Sequence, residues 1–152
     1  MKYLFLDFDG VLNVPNQPDF APAFVTELNR ITDTTGAKIV LSTSWRDNWS
    51  LTELRALLQV NKVKGDIINA IQTLSVNNGG VIISAQRGIE ILAWCKYNNV
   101  PIDSGIVALD DYSDCFMEMF TVKCNYDIGL TPELADEAIA ILNQNESTSN
   151  SV

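Results

Sequence analysis

A chain of 152 residues, 47% hydrophobic and 19% charged, has room for one domain with its own core and excludes both a disordered chain and two full domains. It contains no histidine, which removes Ser-His-Asp and Cys-His hydrolases, HExxH zinc enzymes and histidine phosphatases. Ten basic against 19 acidic residues give a formal charge of −9, which weighs against loose charge-driven binding to nucleic acid or anionic membrane but leaves room for a local cationic pocket.

Tyr3-Leu4-Phe5-Leu6 is apolar at consecutive positions, the pattern of a strand buried on both faces of a parallel sheet. Pro22 followed by Phe24, Val25, Leu28 and Ile31 predicts a helix over 21–33, closed by Gly36. Ala37 to Leu41 reads as a second buried strand. Ser50 and Glu53 form a capping-box pattern ahead of Leu54, Leu57 and Leu58, so a helix is expected near 51–60. Residues 61–80 follow no single period; they hold an apolar patch (Ile67, Ile68, Ile71) and end in an Asn-Asn-Gly-Gly turn.

Gln86 to Tyr97 fits a helix with Ile89, Ile91, Leu92 and Cys95 facing inward. Ile106 to Leu109 is a third buried strand, ended by Asp110-Asp111, and the alternating Phe120 to Cys124 reads as an edge strand. Thr131 caps a last helix with Pro132 at its first position and Leu134, Ala138, Ile141 and Leu142 inward. The domain is expected to span 1–144, with 145–152 a polar, disordered tail. Strands alternating with helices make an α/β domain with a mainly parallel sheet.

Cys95, Cys115 and Cys124 form no CxxC, and the last arginine, Arg87, precedes the first of them, so no redox pair, zinc knuckle or cysteine phosphatase is expected. They read as buried or half-buried thiols in a reducing compartment. The first residues reach Asp7 too soon for a signal peptide, and no run has the length of a membrane span. The expectation is a cytoplasmic protein without membrane contact.

Ligands of parallel α/β sheets bind beyond the carboxyl ends of the strands. All three buried strands end at polar side chains: Asp7/Asp9, Ser42/Thr43/Ser44 and Asp110/Asp111. Asp9-Gly10 alone would suit a hairpin turn, but the strand before it does not alternate. Carboxylates gathered at one sheet edge repel by about 4 kcal/mol per pair at 4 Å and an effective dielectric near 20. A hard cation with oxygen ligands, Mg²⁺, relieves that repulsion and leaves coordination positions suited to phosphoryl groups.

Leu6-Asp7-Phe8-Asp9-Gly10-Val11-Leu12-Asn13, Val40 to Arg46, and Ala108 to Asp111 resemble motifs one, two and four of the haloacid dehalogenase (HAD) superfamily. The Ser42-Thr43-Ser44-Trp45-Arg46 run, Arg87 to Ile91, and Gly129-Leu130-Thr131 resemble a small capless branch, known also as a domain of multi-domain RNA-repair proteins. The resemblance covers Lys2 to about Leu142 and implies a three-layer, Rossmann-like domain without a separate cap. Only 24 residues separate Asn13 from Lys38 and 40 separate Arg46 from Arg87, too few for a lid domain.

It further implies that Asp7 attacks phosphorus to form an aspartyl phosphate, and that Asp9 protonates the leaving oxygen and then activates water. Mg²⁺ would be held by Asp7, the Asp9 carbonyl and an acid of the Asp110/Asp111 pair, with Asp114 in reserve. Ser42, with Thr43 beside it, would meet the phosphoryl oxygens. The cation of the third motif is usually a lysine; here Arg87 takes its place, with Lys62 and Lys64 as alternatives. Arg46 either clamps a second phosphate or the substrate body, or pairs with a surface acid. Trp45, Trp49 and Tyr112 are candidate stacking surfaces.

The expected partner is a phosphorylated substrate with a large or protruding body, polynucleotide ends among them, and no nicotinamide or nucleotide cofactor is called for. A non-catalytic or receiver-like phosphate- and Mg-binding signalling domain is the alternative. A receiver would want adjacent acids at the first strand and its acceptor Asp on a later one, the reverse of the order here.

Overall fold

The computed structural model describes residues 1–103 and 105–149. Along the chain run β1 (Tyr3–Leu6), α1 (Pro22–Thr35), β2 (Lys38–Leu41), α2 (Leu51–Val60), β3 (Ile67–Ala70), β4 (Ser75–Asn78), β5 (Val81–Ser84), α3 (Arg87–Tyr97), β6 (Ile106–Asp110), β7 (Thr121–Lys123) and α4 (Pro132–Ser149). Five strands form one sheet in the order β3-β2-β1-β6-β7. Every pairing in it is parallel, so all five carboxyl ends share one edge.

The faces follow from the pleat. Leu4 and Leu6 of β1, with Ile39, Leu41, Val107 and Leu109, pack against α1, α2 and α4 through Val25, Leu28, Ile31, Leu54, Leu58 and Ala138. Phe5, Val40 and Ala108 point the other way, onto Ile91, Trp94 and Cys95 of α3. Both faces are dry because helices cover both, and that is why the strands read as unbroken apolar runs. Burying each such Leu, Ile or Phe side chain stabilises the fold by about 1.5–3 kcal/mol.

Local signals set the ends. Pro22 opens α1, and Gly36, at φ 71°, closes it with its N–H on the Thr32 carbonyl. Ser50 and Glu53 form the full capping box on α2. The Thr131 hydroxyl accepts from Leu134 N at the start of α4. That helix runs on over 145–149, the first part of the segment expected to be a tail; the rest of that segment lies outside the described residues.

Residues 61–84 are where structure adds most. Ile67 to Ala70 form the edge strand β3, while β4 and β5 make a separate antiparallel hairpin whose Gly79 and Gly80, at φ 61° and 89°, form the two-residue turn. Val81-Ile82-Ile83 has the composition of a buried strand, yet all three are more than half exposed, as is Val76. In α3, Ile89 is turned outward and Glu90 is buried in its stead.

Candidate active site

The chain extends the sheet outward from β1 to β2 and β3, then crosses to β6 and β7 on the other side. The strand order therefore reverses beside β1, and the crevice outside the carboxyl ends opens there. Leu6 is in register with Leu109, so Asp7 and Asp110 emerge side by side, with Asp7 N donating to the Leu109 carbonyl at 3.1 Å. A cleft of about 480 Å³ lies over this point, and Asp7, Asp9, Arg46, Arg87, Asp111 and Tyr112 are on its walls.

The loop after β1 is cross-tied. Gly10 has φ 80°, and a Cβ there would stand 2.9 Å from Asp111 Cβ, so glycine is required both by the backbone and by the neighbour. Asn13 Oδ1 accepts from Gly10 N at 3.1 Å, and its Nδ2 donates to Asp9 Oδ1 at 2.9 Å. Trp45 Nε1 donates to Asp9 Oδ2, also at 2.9 Å. The Asp9 carboxylate is thus fixed on both oxygens. Trp45 is itself wedged edge-on against Phe8, which makes it an orienting group rather than a free stacking surface.

Asp7, Asp110 and Asp111 each bring a carboxylate oxygen within 4.8 Å of the others. Burial pushes Asp7 up to about 8, with the neighbouring Asp110 charge adding to it and Arg87 opposing it. Asp110 is also raised, chiefly by its own burial. Arg87 Nη1 lies 2.7 Å from Asp110 Oδ2 and 3.3 Å from Asp7 Oδ2. One guanidinium thus faces three acids and leaves their charge undercompensated. Three hard oxygen donors around such a deficit fit Mg²⁺.

The remaining sequence-derived candidates divide. Ser42 and Thr43 end β2, fully buried, and neither is on the wall of the cleft; Ser44 is. Ser42 Oγ has no hydrogen-bond partner among the described residues, whereas Thr43 Oγ1 accepts from Trp45 N as the cap of a 3₁₀ turn over Ser44–Asp47. Lys62 and Lys64 line a different cleft, with Asn29 and Val25, and take no part here. Trp49 is half exposed on a shallower pocket beside Asp9. Of the thiols, Cys95 and Cys124 are buried and pushed up to about 11 and about 12, chiefly by that burial, while Cys115 is exposed.

Two contacts that frame the site escape the sequence reading. Asp114 is not in the group of three acids that could hold a metal: its Oδ2 accepts from Gly88 N at 2.8 Å and its Oδ1 from Phe116 N at 2.9 Å. It therefore caps, from a distant loop, the first turn of the helix that carries Arg87, where a negative charge suits the helix dipole. Arg46 reaches inward to a buried acid: Nη2 lies 2.7 Å from Glu90 Oε1, and Nη1 donates to the Ser42 and Thr43 carbonyls. Glu90 Oε2 accepts from Leu74 N at the root of the hairpin. The signal for this pair was Glu90 at an inward position of α3, legible only once the helix face is known.

A family model described as the HAD domain in Swiss Army Knife RNA repair proteins matches residues 3–135. No curated protein and no solved structure matches the chain. Among the described residues, no helix is long and apolar enough to cross a membrane.

Proposed function

The chain belongs to this HAD family, and from that premise we propose that it is a Mg²⁺-dependent phosphomonoester hydrolase working through an aspartyl phosphate on Asp7. The observation that carries the reading is the convergence of Asp7, Asp9, Arg87 and Asp111 on one cleft at the point where the strand order reverses.

Asp7, Asp110 and Asp111 would hold Mg²⁺, which when bound offsets their charge and polarises a phosphoryl oxygen. An Asp7 carboxylate oxygen attacks phosphorus, and the bond from phosphorus to the ester oxygen breaks. Asp9, held by Trp45 and Asn13, donates its proton to that oxygen as the alcohol leaves. It then takes a proton from water, whose oxygen attacks phosphorus and releases phosphate, restoring Asp7. Arg87 faces the charge that builds on the phosphoryl oxygens. The orphaned Ser42 hydroxyl is a donor in waiting at the end of β2.

The family's description brings phosphorylated RNA ends among the substrates to assay, beside small esters. Three free cysteines support a reducing compartment, the cytoplasm. The test is steady-state hydrolysis of an aryl phosphate with and without Mg²⁺. Wild-type protein is expected to need the metal, and Asp7→Asn, folded by circular dichroism, to lose several orders of magnitude in kcat. Folded Asp7→Asn with near-wild-type turnover would remove Asp7 as nucleophile.

A further inference from the structure

The charges around the cleft say what kind of ester it accepts. Its walls carry five acids, Asp7, Asp9, Asp47, Glu90 and Asp111, with Asp110 directly behind them. The cations on those walls are Arg46 and Arg87. Both are already engaged: Arg46 by Glu90 and two carbonyls, Arg87 by Asp110 and Asp7. With a divalent cation bound, the count still falls two charges short of neutrality when Asp9 is ionised, and one charge short when Asp9 carries the proton it delivers in the first step.

The other basic residues of the chain are not on these walls. Lys38 is the first residue of β2, at the opposite edge of the sheet, and pairs with Asp66. Arg55 donates to the carbonyl of Ile67, the first residue of β3. Lys62 and Lys64 line a separate cleft, while Lys123 ends β7 in register with Asp110 on the same carboxyl edge but is exposed and is not on the walls of this cleft. The metal and Arg87 are therefore equipped for a single phosphate. A second anionic group on the substrate would meet Asp9 and Asp47.

The outer wall offers neutral partners in place of cations. Ser44, Ser84 and Gln86 line it with exposed hydroxyls and an amide, Thr73 stands with them with its hydroxyl donating to Asp47, and Tyr112 adds a half-exposed ring and phenol. Such groups exchange hydrogen bonds with hydroxyls and carbonyls. The volume, about 480 Å³, lies in the range of small-molecule sites.

We propose that the cleft takes a phosphomonoester whose body is small, uncharged and hydroxyl-bearing, with no second anionic group within reach of Asp9 and Asp47. This specificity rests on the phosphomonoesterase reading above. It sets a compact sugar- or polyol-type monophosphate ahead of a polynucleotide end, whose neighbouring phosphodiesters bring further negative charge to an acidic rim.

The experiment compares matched pairs that share a reacting phosphate and differ in neighbouring charge. One pair is a hexose 6-phosphate and the hexose 1,6-bisphosphate. The other is a nucleoside 3′-monophosphate and a 3′-phosphorylated oligonucleotide ending in the same nucleoside. In low salt with Mg²⁺, the member of each pair that carries a single phosphate group is expected to have about tenfold higher kcat/KM, a gap that added KCl narrows. Asp47→Asn, on an exposed turn, is expected to narrow it as well. Equal or higher kcat/KM for the bisphosphate or the oligonucleotide would overturn the proposal, and so would a gap indifferent to both salt and Asp47→Asn. p-Nitrophenyl phosphate runs in parallel: no Mg²⁺-dependent turnover of it overturns the hydrolase reading itself, whereas turnover of it assigns any failure in the pairs to the specificity alone.

Discussion

In chelated protein, stability should fall as pH rises, and Asp7→Asn should abolish most of that fall. Asp7 is buried and its folded pKa is raised from 3.8 to about 8. The unfolded chain loses this proton near 3.8 while the folded chain keeps it, so folding takes up a proton over the window between the two values. Stability is then fully present below the lower value and is lost as pH climbs through the upper one. One proton sets a ceiling of about 1.4 kcal/mol per pH unit, or about 2.7 kcal/mol between pH 5 and pH 7. For a chain of this size that is a drop in Tm of roughly 5–10 °C. Asp110, raised in the same cluster, shares the proton, so the measured slope belongs to the pair. The assay is thermal unfolding of wild-type and Asp7→Asn protein in chelator across that range. All other titrating groups are common to the two proteins, so their difference isolates the site. A wild-type minus Asp7→Asn difference that does not change with pH would refute the reasoning.

The remaining predictions concern the residues that frame the site. Glu90→Ala leaves Arg46 charged and buried without its carboxylate, and urea unfolding should show a loss of about 3 kcal/mol, with Glu90→Gln milder because it can still accept from Leu74 N. Gly88→Ala puts a Cβ into Asp114 Oδ1 and 2.7 Å from Phe116 Cβ. It should cost about 1–3 kcal/mol and, by shifting the turn beside Arg87, weaken inhibition by inorganic phosphate in a competition assay.

Legibility in the sequence tracked the range of the physics involved. Strands buried on both faces show as unbroken apolar runs, helix ends show as Pro22, Gly36 and the Ser50/Glu53 box, and these placed the sheet and the shared edge where Asp7 and Asp110 meet. The β4–β5 hairpin broke the rule from the other side: Val81, Ile82 and Ile83 look like core but stand in the open, because a two-stranded ribbon has no second layer to bury them. Contacts that join distant segments left no periodic trace. Asp114 sits four residues beyond Asp110, a spacing that invites a ligand role, yet its carboxylate turns to Gly88 N, 26 residues back. In the sequence Arg46 reads as a clamp for a second phosphate or the substrate body, or as the partner of a surface acid; it pairs instead with Glu90, a buried acid 44 residues away. The acids that remain at the cleft after these commitments are the ones free to act, so the site is defined as much by the carboxylates the fold withdraws from it as by those it presents. Asp114 holds the start of α3, Glu90 holds Arg46, and the Asp9 carboxylate is held by Trp45 and Asn13. On the function proposed above, the Asp7, Asp110 and Asp111 group would take the cation and Asp9 would transfer the proton. That division requires two kinds of carboxylate within one cleft, one set sharing charge with a metal and one held apart by neutral donors, and a fold that could not separate them would bind the cation at the expense of its acid.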